Sequence, residues 1–267
     1  MISSVTLAII ALNIMFAVVV PCGLLLFLRK KFGASITAFL VGCGIWFFFA
    51  MILEQILHGL VITSSIGPVI VDNLALNALY GGLAAAVFEE AGRFVGIKLL
   101  LKRKHGNPHN ALMYGAGHGG FEMLYLFGMS MLSNLTYSLM INDGSITQQI
   151  ASFSPEEQGQ VQALIDTLVG TPSYMFAMGL VERVSAVILH IALSVLVWAA
   201  VVNGKKMMFP IAMAVHFVVD ASSIILFNLD IPVVLVELVV LGMALVAAYY
   251  AKKVFEEVVV VGSPQRY

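Results

Sequence analysis

Charge is what this sequence has least of. Only 11% of its 267 residues are Asp, Glu, Lys or Arg, and 14 basic side chains against 15 acidic ones leave a formal net charge of −1. Without a basic surplus there is no electrostatic footprint for nucleic acid. With 60% hydrophobic residues and a mean hydropathy of +0.98, the chain is an integral membrane protein and not a water-soluble globular domain. It has two cysteines, Cys22 and Cys43, both inside apolar runs with no ligand-like partner nearby. They read as small buried hydrophobes, and no disulfide is expected. A repeat of fixed period and a low-complexity tract are also missing. No basic residue precedes the first apolar run and no A-x-A-like site follows it, so it reads as a retained first span and not a cleaved signal peptide.

What is abundant is apolar sequence in membrane-sized lengths. A bilayer-crossing helix takes roughly 20 apolar residues, and about seven such runs occur, at 5–28, 35–62, 73–101, 109–140, 172–202, 207–228 and 231–251. The expected fold is all-α: a polytopic membrane helical bundle of about seven transmembrane helices, forming a single integral membrane domain over 1–267. Arg29, Lys30 and Lys31 follow the first run, Lys102, Arg103 and Lys104 the third, Lys205 and Lys206 the fifth, and Lys252 and Lys253 the seventh, with Lys98 and Arg266 close by. Basic clusters mark the cytoplasmic face, so the N-terminus is expected outside and the C-terminus in the cytoplasm. The opposite loops hold Asp72, Asp143, Glu156, Glu157, Asp166 and Asp230, with no Lys or Arg. Arg93 and Arg183 are left within spans.

One segment, 141–171, is neither a span nor a tight turn and falls outside in this topology. Ser154-Pro155-Glu156-Glu157 has the signature of a capping box with proline at the first helical position. Val161, Leu164, Ile165 and Leu168 follow at helical spacing, predicting a short amphipathic helix over 155–169 on the outer surface. It either covers loop backbone or forms a lid over a cavity. Small residues gather at Gly81–Ala86 and Gly115–Gly120, which predicts close contact between the third and fourth spans.

An ionisable group at bilayer depth costs roughly 2.5 to 3.5 kcal/mol even on lenient insertion scales. This chain has many: Glu54 and His58; Glu89, Glu90 and Arg93; His118 and Glu122; Glu182, Arg183 and His190; His216 and Asp220; and Glu237. Glu90 lies 12 residues before Lys102, His118 11 after Asn107, His190 14 before Gly204 and His216 11 after Lys205. At about 1.5 Å per residue these four spans bring their polar groups to one level, roughly 16 to 21 Å from the cytoplasmic face. Glu89 and Arg93, His118 and Glu122, and His216 and Asp220 are four residues apart, so each pair shares a helix face. Together they read as one site. Glu54 and His58 lie toward the outer end and read as structural or supporting. Glu182 and Arg183 read as a tie between spans beside the site, and Glu237 has no expected neighbour for chemistry.

Paired carboxylates in a low-dielectric cavity repel, and one of them suits a general base. Arg93 is expected to pair with Glu89, which favours Glu90 as the base, with Glu89 the alternative. His118, Glu122, His190 and His216 supply enough nitrogen and oxygen to hold zinc or another divalent metal, although H-E-x-x-H is absent. His216 with Asp220 could instead stabilise a developing oxyanion. These groups suit activation of water against an amide.

At these residues the chain resembles a known group. E-E-A-G-R at 89–93, G-H-G-G-F-E at 117–122, E-R-V-S-A-V-I-L-H at 182–190 and H-F-V-V-D at 216–220 resemble the motifs of the YhfC family of intramembrane peptidases. That family is similar to the PrsW proteases and to the CAAX-processing and bacteriocin-immunity membrane proteases. The resemblance runs from about 75 to 225 and implies a catalytic core bundle over 73–228. It implies that Glu89 and Glu90 activate water, with Arg93 closing their motif. Histidines on neighbouring helices would bind metal or stabilise the oxyanion. Glu122 falls where PrsW-like proteins have a glutamate, and His118 where the CAAX type has a histidine. His190 and His216 match the third and fourth motif histidines, with Asp220 in place of an asparagine.

The leading expectation is an intramembrane endopeptidase in a bacterial cytoplasmic membrane, acting on a membrane-embedded or lipid-linked peptide by a metal-dependent or glutamate-only mechanism. A proton or divalent-metal transporter would use the same cluster, but inverted repeats and matched helix breaks are not seen. An inactive membrane scaffold or immunity factor is the third reading.

Overall fold

The computed structural model describes residues 1–262. Arg266, read above with the cytoplasmic basic residues, lies outside them. Among the described residues there is no strand. The elements are α1 (Ser4–Phe32), α2 (Ile36–Ile62), α3 (Gly67–Asp72), α4 (Leu74–Val95), α5 (His109–Asp143), α6 (Ser145–Ile150), α7 (Pro155–Gly170), α8 (Ser173–Val202), α9 (Met208–Phe227) and α10 (Val233–Gly262). Caps anticipate several boundaries: the Ser3 hydroxyl accepts from the Thr6 N–H, the Asn73 side chain accepts from the Leu76 N–H, and α1 stops at Gly33, whose φ is 63°.

Among the described residues six helices, α1, α2, α5, α8, α9 and α10, are long and apolar enough to cross a membrane. The expected third span is α4, whose 22 residues rise about 33 Å. It falls outside that set because Glu89, Glu90, Arg93 and several small residues dilute its apolarity. At its end α4 widens into a π-helical turn, Gly96–Leu100. Two more π-helical turns interrupt α2 at Phe49–Glu54 and α5 at Met123–Gly128. The first ends on Glu54 and the second begins just after Glu122. Such turns re-aim side chains and gather at functional sites.

The bundle is organised around α8. Of its most apolar stretch 67% is buried, against 22% to 28% in the other five, so it is the central post and not a lipid-facing span. It packs along α5, α9 and α10, while α4 lies chiefly on α9 and α5 on α2. The predicted contact between the third and fourth spans is corrected here. A Cβ at Gly117 or Gly42 would collide with backbone across the α2–α5 contact, and one at Gly115 would lie 2.6 Å from Ile191 Cα on α8. Gly82 instead faces α9, where a Cβ would meet the Phe217 carbonyl oxygen at 3.0 Å. The two small-residue patches sit at different depths: Gly82 lies about 30 Å from the basic end of α4, Gly117 only about 15 Å from that of α5.

The predicted surface helix is present as α7. The Glu157 carboxylate accepts from the Ser154 N–H at 2.8 Å, and the Ser154 hydroxyl accepts from the Glu157 N–H at 3.4 Å, which forms the capping box. The Ser154 N–H first, and then its hydroxyl, which also donates to the carboxylate at 2.7 Å, hold the Glu157 carboxyl below its usual range. Leu168 is buried, and the helix packs on α5. None of its residues lines the polar cavity described below.

The two glycines of the G-C-G stretch in α2 give a matched test of the packing. A Cβ at Gly42 would collide with the Tyr114 carbonyl oxygen and lie 2.8 Å from the His118 nitrogen, whereas at Gly44 it meets nothing within 4 Å. Gly42→Ala is expected to lower stability by about 1 to 3 kcal/mol through overpacking, and Gly44→Ala to leave it unchanged. Denaturant unfolding in detergent micelles reads the difference.

A buried carboxylate and histidine cluster

Glu89, Glu90 and Arg93 project from one face of α4 into the bundle, where Glu90 and Arg93 are both 0% exposed. A buried guanidinium needs acceptors in the planes of its fork. Arg93 Nε donates to Glu90 Oε2 at 3.0 Å. Its Nη1 donates to the His190 carbonyl oxygen at 3.0 Å and to Ser194 Oγ at 2.6 Å, both on α8. Its Nη2 stands 3.1 Å from His190 Nδ1 and 3.4 Å from His118 Nε2. The expected pairing of Arg93 with Glu89 is therefore corrected: its partner is Glu90, three residues back. Spacings of three and four both share a helix face, and the acceptors on α8 draw the guanidinium to the Glu90 side.

Glu89 is left for the histidines. Its Oε2 lies 2.8 Å from His118 Nε2 and 3.7 Å from His190 Nδ1. Glu89, His118 and His190, all buried, bring one candidate ligand atom each to within 4.8 Å of one another, and this group could hold a metal ion. The donor set, one carboxylate and two imidazoles, is zinc-like chemistry. Because a guanidinium only donates, His190 Nδ1 turns its lone pair to Arg93 Nη2 and its proton belongs on Nε2. That nitrogen lies 2.7 Å from Glu122 Oε2, an ion-pair distance outside hydrogen-bond alignment. His118 Nδ1 is buried with no partner, so this ring is under-satisfied whichever nitrogen carries its proton. Gly119 permits the approach, since a Cβ there would lie 2.9 Å from His190 Cβ.

His216 is placed differently from the other two histidines. Its Nδ1 lies 2.8 Å from Glu90 Oε1 and its Nε2 3.4 Å from Asp220 Oδ2, so both nitrogens already face carboxylates. Glu122 Oε1 accepts from Arg183 Nη1 at 3.1 Å, and Arg183 also pairs with Glu182. The structure thus brings all ten expected residues into one linked network, Asp220 through His216 and Glu182 through Arg183.

A cavity of about 360 Å³ opens on this network, with Glu89, Glu122, Arg183, His190, His216 and Asp220 in its wall. Glu90, Arg93 and His118 lie behind that wall. Glu89 Oε2 is taken by His118, while its Oε1 has no hydrogen-bond partner and is not among the enclosed orphan atoms, so it faces the cavity.

The peripheral residues are more connected than their sequence positions suggest. His58 bridges Tyr80, at 2.8 Å from its Nδ1, and Glu54, at 3.2 Å from its Nε2. Glu54 is buried and within electrostatic reach of His216 and Asp220. Glu237, expected to stand alone, is buried on α10 within electrostatic reach of Glu182 and Arg183. Ser194 was not singled out from the sequence. Its signal is a hydroxyl four residues after His190 in an otherwise apolar run, one turn along the same face.

A family model described as YhfC intramembrane metalloprotease matches residues 16–241. The chain is 31% identical over 265 residues, 96% of this chain and 100% of the relative, to the uncharacterized membrane protein YhfC of Bacillus subtilis (strain 168). No solved structure matches.

The arrangement around Arg93 generates a stability prediction. Arg93→Met leaves Glu90 Oε2 without its partner and the carboxylate facing His216 alone, and unpairing a buried charge costs up to about 3 to 5 kcal/mol. Adding Glu90→Gln removes that charge and is expected to recover most of the loss. Unfolding of the single and double variants in detergent measures this; a double variant no more stable than the single one contradicts the pairing.

Proposed function

The chain belongs to the YhfC intramembrane metalloprotease family, and on that premise we propose that it is an endopeptidase hydrolysing a peptide bond of a membrane-associated substrate near mid-membrane. The observation that carries this reading is the cavity wall, where a carboxylate with one oxygen free stands against two imidazoles. The basic clusters orient the bundle with its N-terminus outside and its C-terminus in the cytoplasm of a bacterial cell.

Charge balance favours a cation at the centre. Five carboxyl groups, Glu89, Glu90, Glu122, Glu182 and Asp220, share the network with two guanidinium groups, Arg93 and Arg183, so carboxyls outnumber fixed positive charges in a low-dielectric interior. Glu89, His118 and His190 are the residues to hold zinc or another divalent ion. Such an ion, when bound, acts as a Lewis acid and makes water acidic enough to be a nucleophile near neutral pH.

The chain's own groups take the remaining roles. Glu89 Oε1 accepts a proton from the water whose oxygen attacks the carbonyl carbon. When the carbon–nitrogen bond breaks, the same carboxyl returns that proton to the departing amine. Glu122 faces the Nε2 side of His190 and orients the ring so that Nδ1 points to the centre. His216 is held at Nδ1 by Glu90, and its Nε2, 3.4 Å from Asp220, turns from that carboxylate to donate to the carbonyl oxygen as negative charge develops on it. Arg93 and Glu90 touch no reacting atom; they position both imidazoles. The base is thus assigned to Glu89, not to Glu90, because Glu90 is enclosed and already committed to Arg93 and His216.

The test uses the full chain in liposomes with libraries of single-span and lipid-anchored peptides, products being read by mass spectrometry. Glu89→Gln is expected to lower cleavage by about 10²- to 10⁴-fold, the contribution of a general base, with folding retained. Treatment with a chelator is expected to abolish cleavage and added Zn²⁺ to restore it. Cleavage by Glu89→Gln at the wild-type rate would remove the assigned mechanism.

A further inference from the structure

A second cavity, of about 740 Å³, lies between α9 and α10 and is lined wholly by apolar residues and glycine, among them Ala214, Val218, Val219, Gly242, Val246 and Ala247. We propose that this groove seats a transmembrane helix of the substrate and delivers its peptide bond to the polar cavity; the inference rests on the endopeptidase reading above.

Continuity is the first support. Val219 belongs to the walls of both cavities, and it immediately precedes Asp220. On α10 the groove residues Val239 and Met243 alternate with the cavity residues Val240 and Ala244. One side of this helix pair is therefore apolar and open while the other borders the carboxylates. Two further apolar grooves, one containing Ile188 and Ala248 and the other Ile14 and Leu132, share no lining residue with the polar cavity.

Shape is the second support. α10 packs mainly along α8 and touches α9 far less, which leaves the two helices parted on the lipid side. The groove runs from Ile211 to Val219 on α9 and from Val239 to Tyr250 on α10, about 12 and 16 Å of helix, or half of a bilayer's apolar thickness. That length takes two to three turns of a helix. Gly242 has open space where a Cβ would stand, and Ala214 and Ala247 are small, which lets a helix backbone approach closely where packing drives association. A substrate helix seated there ends at the level of His216 and Asp220, so its peptide backbone reaches the polar wall as it leaves the groove.

Gly242→Phe projects into the groove from a position where a Cβ meets nothing within 4 Å, and Val246→Trp, at a position 71% exposed on the rim, is a second variant whose side chain starts outside the core. Wild type and both variants are reconstituted in liposomes and given three libraries with the same central residues: single-span peptides, short water-soluble peptides, and those short peptides carrying a palmitoyl chain. The expected result is a fall of about tenfold or more in cleavage of the single-span library, with short-peptide cleavage and melting temperature unchanged. Unchanged cleavage of single-span peptides by both variants overturns the inference and leaves the endopeptidase reading standing. An equal fall for single-span and short peptides overturns it too, because the groove then acts on the chemistry. A loss confined to the palmitoylated library assigns the groove to a lipid chain and overturns the helix occupant. If wild type cleaves none of the three libraries, the endopeptidase reading fails and the inference with it.

Discussion

A guanidinium fully enclosed in a membrane bundle must find acceptors for its donors, and Arg93 finds them on three helices. Its bonds to Glu90, to the His190 carbonyl oxygen and to Ser194 tie α4 to α8, and its last nitrogen stands against the imidazoles of α5 and α8. The positions of His118 and His190 are consequences of that fork. So is the division of labour between the adjacent glutamates: the one that satisfies Arg93 is enclosed, and the other keeps an oxygen at the cavity. A lysine could supply the charge but not the geometry, since its ammonium is a point charge without a planar fork.

The helices that carry these groups approach one another because glycine allows it. Gly115, Gly117 and Gly119 lie on α5 against α8 and α2, and each contact leaves no room for a side chain. The motif G-H-G-G around His118 is therefore both a packing device and a means of bringing one imidazole within hydrogen-bond distance of Glu89. The central burial of α8 follows from the same crowding, as this helix contributes His190, Ser194, Glu182 and Arg183 and is flanked by α5, α9 and α10.

Much of this was legible in the sequence. The apolar runs set most helix bounds to within a few residues, though α10 runs on to Gly262 past the expected end at 251; Ser154 and Glu157 announced the capping box, and counting residues from the basic ends brought Glu90, His118, His190 and His216 to one level. Heptad and four-residue spacings could not say which of two neighbouring carboxylates faces Arg93, because both lie on its side of α4; the choice is made by acceptors on α8, far away in sequence. The partners of the small-residue patches were misassigned for a related reason. Composition shows that a helix can be approached closely but not by which neighbour, and depth along the helix decided it. Glu237 seemed isolated along α10 only because its neighbours, Glu182 and Arg183, belong to α8. The family resemblance of the four motif blocks agrees with the family match over residues 16–241.

The central proposal is that Glu89, His118 and His190 together hold one divalent ion. Metal content per chain, measured on protein purified without chelators and equilibrated with Zn²⁺, addresses it directly. The account predicts one equivalent in wild type and in Asp220→Asn, and a loss of that equivalent in His118→Ala and His190→Ala while both variants remain folded. Substoichiometric metal in wild type, or a full equivalent retained by both histidine variants, would contradict it.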